Sequence, residues 1–261
     1  MNSSDHGCKL FLLDCNVLIE VMKEEGVKPD LIICDPPYDI TSSNSKKIDV
    51  ISSNDNRGKI YQEEYSKTYA DLQNDNLLSS YDMSLFSKLV CDLQGKDINI
   101  YFFCNKKQIP MYFELYVSKL KCKFNILFWN KPNALPTYYN KYLNDCEYLL
   151  HFYKGRARIT PECYDDAKTY FVSPINIADK KKWGHPTIKP VELVEKIIRN
   201  STKEGDLVLD PFMGSGTTGV ACVHTKRKFI GCEILEKYYN VAQKRIGEAD
   251  ENVFKISRSN L

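Results

Sequence analysis

Short apolar runs alternate along the chain with longer segments in which apolar residues recur every three or four positions. Seven runs have the length and composition of buried strands, at residues 10–13, 31–34, 98–104, 124–129, 148–152, 207–209 and 229–232. Segments between them, such as residues 77–93 and 109–120, have helical periodicity. Strands that alternate with helices predict a doubly wound α/β domain with a mostly parallel, seven-stranded, Rossmann-like sheet.

Two segments depart from this alternation. Residues 39–75 are polar, rich in Ser, Asn, Asp and Lys, and too long for an ordinary connection, so we expect a mobile loop there. Residues 154–182 carry seven Lys or Arg against four acidic residues, whereas the whole chain has a net charge of only +2. A local basic segment is typical of phosphate contact, and a solvated lysine-rich loop explains it equally well.

Length and composition describe a single domain with a sizeable core. The 261 residues are 43% hydrophobic and 27% charged, and no apolar run approaches the roughly 18 residues that a membrane span needs. The first residues lack the pattern of a signal peptide, so we expect a cytoplasmic protein. Ten cysteines occur without a Cys-x-x-Cys pair and with only four histidines, so we expect reduced core cysteines and no metal site.

A glycine-rich loop follows the strand predicted at 207–209, and its residues are Asp210-Pro211-Phe212-Met213-Gly214-Ser215-Gly216-Thr217-Thr218. Loops that leave the carboxyl ends of parallel strands bind ligands in open α/β sheets. The glycine spacing, with Glu233 at the end of the next strand, also fits a nicotinamide dehydrogenase. Against that alternative, Asp210 would repel a pyrophosphate, and only about 40 residues follow the loop.

A second loop, Asp35-Pro36-Pro37-Tyr38, follows the apolar run at 31–34. The Asp35 carboxylate and the Pro36 carbonyl are two acceptors that suit the two hydrogens of an amino group, and the paired prolines stiffen the backbone that carries them. The ring of Tyr38 offers a face on which a flat base can stack. A simple turn after a strand is the alternative interpretation of this motif.

Together the two loops resemble the motifs of the DNA amino-methyltransferases, which move a methyl group from S-adenosyl-L-methionine to an exocyclic base nitrogen. The base-handling motif precedes the cofactor motif here, as in the circularly permuted β group of that family. Further stretches that resemble this group are Trp129-Asn130-Lys131-Pro132, residues 147–155 and His185-Pro186-Thr187-Ile188-Lys189-Pro190. The resemblance implies one methyltransferase domain of residues 1–261, encoded by a bacterium, phage or virus.

The resemblance also implies which residues form the site. Those that would handle a flipped target base are Asp35, Pro36, Pro37 and Tyr38. Those that would bind the cofactor are Asp14, Cys15, Thr187, Lys189, Asp210, Phe212, Gly214, Ser215, Gly216, Thr217, Thr218 and Glu233. In particular, Thr187 and Lys189 would reach the methionine carboxylate, and Glu233 would bind the ribose hydroxyls. An Asp at position 35 matches the adenine-N6 members, and cytosine-N4 methylation is the alternative.

Double-stranded DNA is the partner that the resemblance implies. We expect residues 130–182 to form a small recognition insertion and the loop 39–75 to close over DNA. The candidate DNA contacts are Arg156, Arg158, Lys180, Lys181 and Lys182. So small an insertion predicts a short target or a homodimer, and a cognate restriction endonuclease is compatible with the family. A catalytically silent nucleic-acid-binding protein of the same fold is a further alternative.

Overall fold

The computed structural model describes residues 7–37, 82–134 and 142–259, with side chains up to Glu251. The predicted base-stacking Tyr38 and the predicted mobile loop 39–75 lie outside the described residues. The strands are β1 (Cys8–Leu12), β2 (Leu31–Cys34), β3 (Asn99–Cys104), β4 (Lys123–Asn130), β5 (Cys146–Tyr153), β6 (Tyr170–Val172), β7 (Leu207–Asp210) and β8 (Lys228–Glu233). The helices are α1 (Cys15–Glu24), α2 (Met83–Gln94), α3 (Ile109–Tyr112, continued by the π-helical segment Phe113–Lys119), α4 (Tyr164–Ala167), α5 (Ile177–Trp183), α6 (Val191–Ser201), α7 (Thr217–His224) and α8 (Glu236–Ser259).

The eight strands within the described residues belong to one sheet with the order β1-β8-β7-β2-β3-β5-β4-β6. β1, β8, β7, β2 and β3 are parallel, and among the described strands β5 is the one that runs antiparallel to its neighbours. The predicted α/β class with a mostly parallel sheet is confirmed. The predicted number of seven strands was wrong, because β6 pairs with β4 at the outer edge. β6 has only three residues, too few for a recognisable periodicity.

Each face of the sheet has its own apolar core. On one face α1, α2 and α3 pack around buried residues such as Ile19 and Phe86. On the other face α6, α7 and α8 pack on the sheet, and α6 contributes four apolar side chains at helical spacing, Leu193, Val194, Ile197 and Ile198. No helix in the described ranges is both long and apolar enough to cross a bilayer. With both faces covered, the carboxyl ends of the parallel strands are left as the place for a site.

Candidate active site at the carboxyl edge of the sheet

Four acidic residues lie at the carboxyl ends of four neighbouring parallel strands. Asp14 follows β1, Glu233 ends β8, Asp210 ends β7 and Asp35 follows β2, in the order in which these strands lie side by side. Parallel strands that are paired end at the same edge of a sheet, so the two predicted loops meet there despite their distance in sequence. The structure therefore brings the predicted base-handling and cofactor motifs together.

Asp210 is buried behind the glycine loop, with 5% of its surface exposed. Its carboxylate accepts hydrogen bonds from the Phe212 backbone N–H (3.0 Å) and from the Thr218 hydroxyl (2.5 Å). Burial is the main cause that raises the pKa of Asp210 to about 7, and the neighbouring carboxylates of Asp35 and Glu233 act in the same direction. A positively charged group beside this carboxylate would stabilise its ionised form and lower its pKa. The position therefore suits the ammonium or sulfonium of S-adenosylmethionine.

The raised pKa of Asp210 predicts a pH-dependent stability in the absence of cofactor. Asp210 titrates near 3.8 when unfolded and near 7 when folded, so the folded protein holds the extra proton and loses stability as pH rises between these values. We expect Asp210→Asn to match the wild type at pH 4 and to be more stable at pH 8, by at most about 4 kcal/mol. Urea unfolding at the two pH values measures the unfolding free energy of both proteins. The same difference in unfolding free energy at pH 4 and at pH 8 would contradict the prediction.

The glycine loop approaches other parts of the chain so closely that side chains are excluded. Gly214 and Gly216 have φ of +49° and +79°, in the left-handed region. A Cβ on Gly216 would lie 2.9 Å from both the Cα and the Cβ of Ala242 in α8. The Gly214 N–H donates to the Glu233 carboxylate (3.1 Å), which also accepts from the Leu235 N–H (2.9 Å). These contacts fix the position of the loop backbone relative to the ends of β7 and β8, as a preformed cofactor site requires.

Gly216→Ala should destabilise the protein through this contact with α8. Gly205→Ala is the matched control, because Gly205 has φ +84° but open space where its Cβ would lie. We expect the control to cost about 1–2 kcal/mol of unfolding free energy for the left-handed backbone alone. Gly216→Ala should cost about 1–3 kcal/mol more, because the backbone of α8 must shift. Urea denaturation compares the two variants, and equal losses would show that the loop is not tightly packed.

Arg245 supports the glycine loop from behind and was missed from the sequence. It lies in α8, is 5% exposed, and donates from one guanidinium nitrogen to the Ser215 carbonyl (2.9 Å), the Ser215 hydroxyl (2.9 Å) and the Thr217 hydroxyl (3.2 Å). The one signal that could have identified it is its spacing. It shares the core-facing side of α8 with Ala242 and Ala249, where an unpaired Arg would be unfavourable.

A charged network surrounds Asp35 on its other side. The Lys189 ammonium lies 2.8 Å from Asp35 Oδ2 and 2.6 Å from Glu147 Oε1, and Lys131 lies 2.7 Å from Glu147 Oε2. Burial opposes the charge on Lys189, but the two carboxylates outweigh it and raise the pKa of Lys189. Burial likewise opposes the charge on Glu147, but Lys189 and Lys131 lower the pKa of Glu147 to about 2. The resemblance implies that Lys189 binds the methionine carboxylate of the cofactor. In the structure, Lys189 instead pairs with two carboxylates of the protein itself.

The remaining predicted cofactor residues lie around the same edge. Asp14 is the N-cap of α1, since its Oδ1 accepts from the Asn16 N–H (2.8 Å), and Cys15 begins that helix as a buried residue. The ring of Phe212 packs against Phe86 of α2, with 5.1 Å between the ring centroids. Thr187 donates its N–H to His185 Nδ1 (3.3 Å). His185 in turn adjoins the loop, because a Cβ on Gly214 would lie 3.0 Å from its ring.

Arg156 and Arg158 do not lie near this edge. β5 is antiparallel, so its last residue, Tyr153, is paired with Asn99 at the start of β3, and the chain leaves β5 at the amino edge of the sheet. There the Arg156 guanidinium forms two hydrogen bonds with Asp97 (3.0 and 2.8 Å). Arg158 follows in the same stretch. The predicted DNA contacts Arg156 and Arg158 therefore lie away from the active-site edge.

Lys180, Lys181 and Lys182 lie on α5, between β6 and His185, the residue that adjoins Gly214. β6 is parallel to β4, so the chain enters α5 from the carboxyl end of β6. Lys182 pairs with Glu248 of α8 (3.1 Å), and Lys181 is exposed. Two further lysines, Lys106 and Lys107, were missed: they are exposed in the turn after β3, the strand beside β2. The sequence did not indicate them, because two adjacent lysines in a turn do not form a recognisable motif.

The same fold occurs in DNA methyltransferases of known structure. M1.HpyAVI in complex with S-adenosylmethionine is 25% identical, with a TM-score of 0.65 over 92% of this chain and 98% of that one. The cytosine-N4-specific PvuII DNA methyltransferase, 16% identical, shares the fold with a TM-score of 0.61 over 95% of this chain and 93% of that one.

Sequence comparison gives the family. Type II methyltransferase M2.DpnII of Streptococcus pneumoniae is 29% identical over 93% of this chain and 91% of its own length, and M2.LlaDCHI of Lactococcus lactis subsp. cremoris is 28% identical over 88% and 86%. The predicted methyltransferase activity and the predicted cofactor, S-adenosylmethionine, are confirmed by these comparisons. Residues 29–244 match the DNA methylase family, so the chain belongs to that family.

Proposed function

We propose that the protein methylates the N6 amino group of adenine in double-stranded DNA at a short target sequence. The observation that carries this proposal is the direct pairing of β2 with β7, which sets Asp35-Pro36-Pro37 beside the loop that begins at Asp210. Asp35 supports adenine over cytosine. The chain resembles the adenine-N6 members of the family, and these members have an aspartate at this position. The relatives named Type II methyltransferases support a site-specific activity.

The reaction requires help from the protein because an exocyclic amino nitrogen is a poor nucleophile. When bound, S-adenosylmethionine supplies an electrophilic methyl group on a sulfonium. The nitrogen lone pair forms the new N–C bond, the C–S bond breaks with its electron pair going to sulfur, and one amino proton is released. Asp35 and the Pro36 carbonyl accept hydrogen bonds from the amino group, which draws its lone pair out of conjugation with the ring and aligns it. The base must leave the duplex to reach this position.

The residues that would hold the cofactor surround the glycine loop. Asp210 and the first turn of α7 offer a carboxylate and backbone N–H groups for the two ends of a methionine moiety. Glu233 would take the ribose, as an acidic residue at this strand position does in nucleotide-binding sheets. Gly216 fits this use, because without a side chain the backbone of the loop packs directly against Ala242 of α8.

Two exposed lysines, Lys106 and Lys181, are the proposed phosphate contacts. Lys106 follows β3, and Lys181 lies on α5, which packs against α8 through Lys182 and Glu248. We expect Lys106→Ala and Lys181→Ala each to weaken binding to every DNA sequence and to lower the salt dependence of binding by about one unit. Arg156→Ala, at the opposite edge, is the control and should change neither quantity. Titration of a labelled duplex at several salt concentrations measures both, and a larger effect of Arg156→Ala would contradict this surface.

The target is tested in a host that lacks its own DNA methylation. We expect single-molecule sequencing of DNA from such a host, after expression of this protein, to detect N6-methyladenine at one short motif. The same strain expressing Asp35→Ala is the control for background modification. A long asymmetric motif methylated by a monomer would contradict the proposed recognition surface. The predicted homodimer and cognate restriction endonuclease stay predictions.

A further inference from the structure

Four charged side chains form a continuous, largely buried network from the loop after β2 to the end of β4. Their order is Asp35, Lys189, Glu147 and Lys131, joined by contacts of 2.8, 2.6 and 2.7 Å. The side chains of Lys189, Glu147 and Lys131 are 8%, 12% and 17% exposed, and that of Asp35 is 25% exposed. Two carboxylates and two ammonium groups balance, so the network is neutral as a whole.

Each member of this network is fixed by the backbone that carries it. Glu147 is the second residue of β5 and pairs across the sheet with Trp129, and Lys131 directly follows β4. Lys189 directly precedes the N-cap Pro190 of α6, and its ammonium lies 5.0 Å from the centre of the Phe103 ring. A lysine side chain has four flexible bonds, so a single partner would not define its position. Two carboxylates and an aromatic face do define it.

We propose that Glu147 is a positioning residue for methyl transfer, which holds Lys189 so that Lys189 orients the Asp35 carboxylate toward the target amino group. This inference rests on the proposed function. Asp35 follows a strand and has a rotatable side chain, and the contact of its Oδ2 with a fixed ammonium restricts the position of that oxygen. Lys131 balances the negative charge of Glu147. Without Lys131 the network would have two carboxylates and one ammonium, and one buried negative charge would be uncompensated.

The assignment of Lys189 to the methionine carboxylate makes a different prediction. If Lys189 served the cofactor, loss of Glu147 would change the affinity for S-adenosylmethionine. If Lys189 orients Asp35, loss of Glu147 lowers kcat and leaves that affinity unchanged. Glu147 itself would not touch the reacting atoms in either case. The ratio of the two effects therefore separates the roles.

The test measures total methyl transfer to unmethylated DNA and, separately, binding of S-adenosylmethionine. We expect Glu147→Gln to lower kcat by about 10–100-fold and to keep the dissociation constant within about twofold. Lys189→Met should lower kcat at least as much, and the double variant should lose no more than Lys189→Met alone, because Glu147 acts through Lys189. Glu195→Gln, a partly buried residue paired with His224 and Arg199, is the matched control and should keep the wild-type rate.

A second variant distinguishes a loss of positioning from a loss of folding. Lys131→Met combined with Glu147→Gln removes one charge of each sign and leaves the Asp35–Lys189 pair neutral, and we expect it to fold and to show the same loss in kcat. An unchanged kcat in both Glu147 variants, or a loss confined to cofactor affinity, would overturn the inference. The wild-type product identifies the target base independently, so an error in the proposed base would appear there and not in these ratios.

Discussion

Asp35→Ala should lower kcat by on the order of 10³-fold while the affinity for S-adenosylmethionine stays within about twofold. Asp35 accepts a hydrogen bond from the target amino group in the proposed reaction, so its loss removes an interaction that strengthens as the nitrogen becomes tetrahedral. The cofactor contacts lie on the other loop, from Asp210 to Thr218. Methyl transfer to DNA and equilibrium binding of labelled cofactor measure the two quantities in the same preparation.

The control for Asp35→Ala is Asp92→Ala, since Asp92 is a half-exposed carboxylate of α2 that pairs with Lys23. It should retain wild-type turnover. Asp35→Asn adds a graded test, because it keeps one acceptor oxygen and the size of the side chain, and we expect an intermediate rate. If Asp35→Ala lost cofactor affinity as completely as turnover, the separation of the two loops by function would be wrong.

Asp210→Ala should weaken cofactor binding by one to two orders of magnitude. The change removes a negative charge next to the proposed ammonium site and leaves the Phe212 N–H and the buried Thr218 hydroxyl without their acceptor. Loss of a charged acceptor costs about 1.5–3 kcal/mol, so we expect the dissociation constant for S-adenosylmethionine to rise by about 10–150-fold. Calorimetric titration with the cofactor measures this change at pH 8, where Asp210 is ionised.

Asp206→Ala is the matched control for Asp210→Ala, because Asp206 directly precedes the same strand and accepts a hydrogen bond from the Lys203 N–H (2.8 Å) at the opposite edge. It should leave the cofactor affinity unchanged. Equal losses in the two variants would indicate a general disturbance of β7 and would contradict a direct role for Asp210.

The positions of the central strands along the chain and the place of the site were predictable because these strands are continuous apolar runs. β2, β3 and β7 are buried on both faces, so their sequences stand out from polar surroundings. The two loops that follow β2 and β7 contain Pro and Gly in fixed patterns. β6 was not predictable, because its side chains alternate between exposed and partly buried positions over three residues.

The misplaced and missed residues have a common physical cause. Sequence does not give the direction of a strand, and the antiparallel course of β5 sends Arg156 to the amino edge while it brings Glu147 to the active-site edge. Arg245 and Lys189 have their partners through tertiary contacts with residues 28 or more positions away. A local pattern identifies the loop, but it does not identify the charged side chains that fix its position.

The nucleoside that receives the methyl group tests the central claim most directly. The purified protein is incubated with S-adenosylmethionine labelled in the methyl group and with unmethylated DNA of mixed sequence, and the DNA is then digested to nucleosides and separated. We predict that the label appears in N6-methyldeoxyadenosine. Label in N4-methyldeoxycytidine, or in no nucleoside at all, would contradict adenine-N6 methylation by this protein.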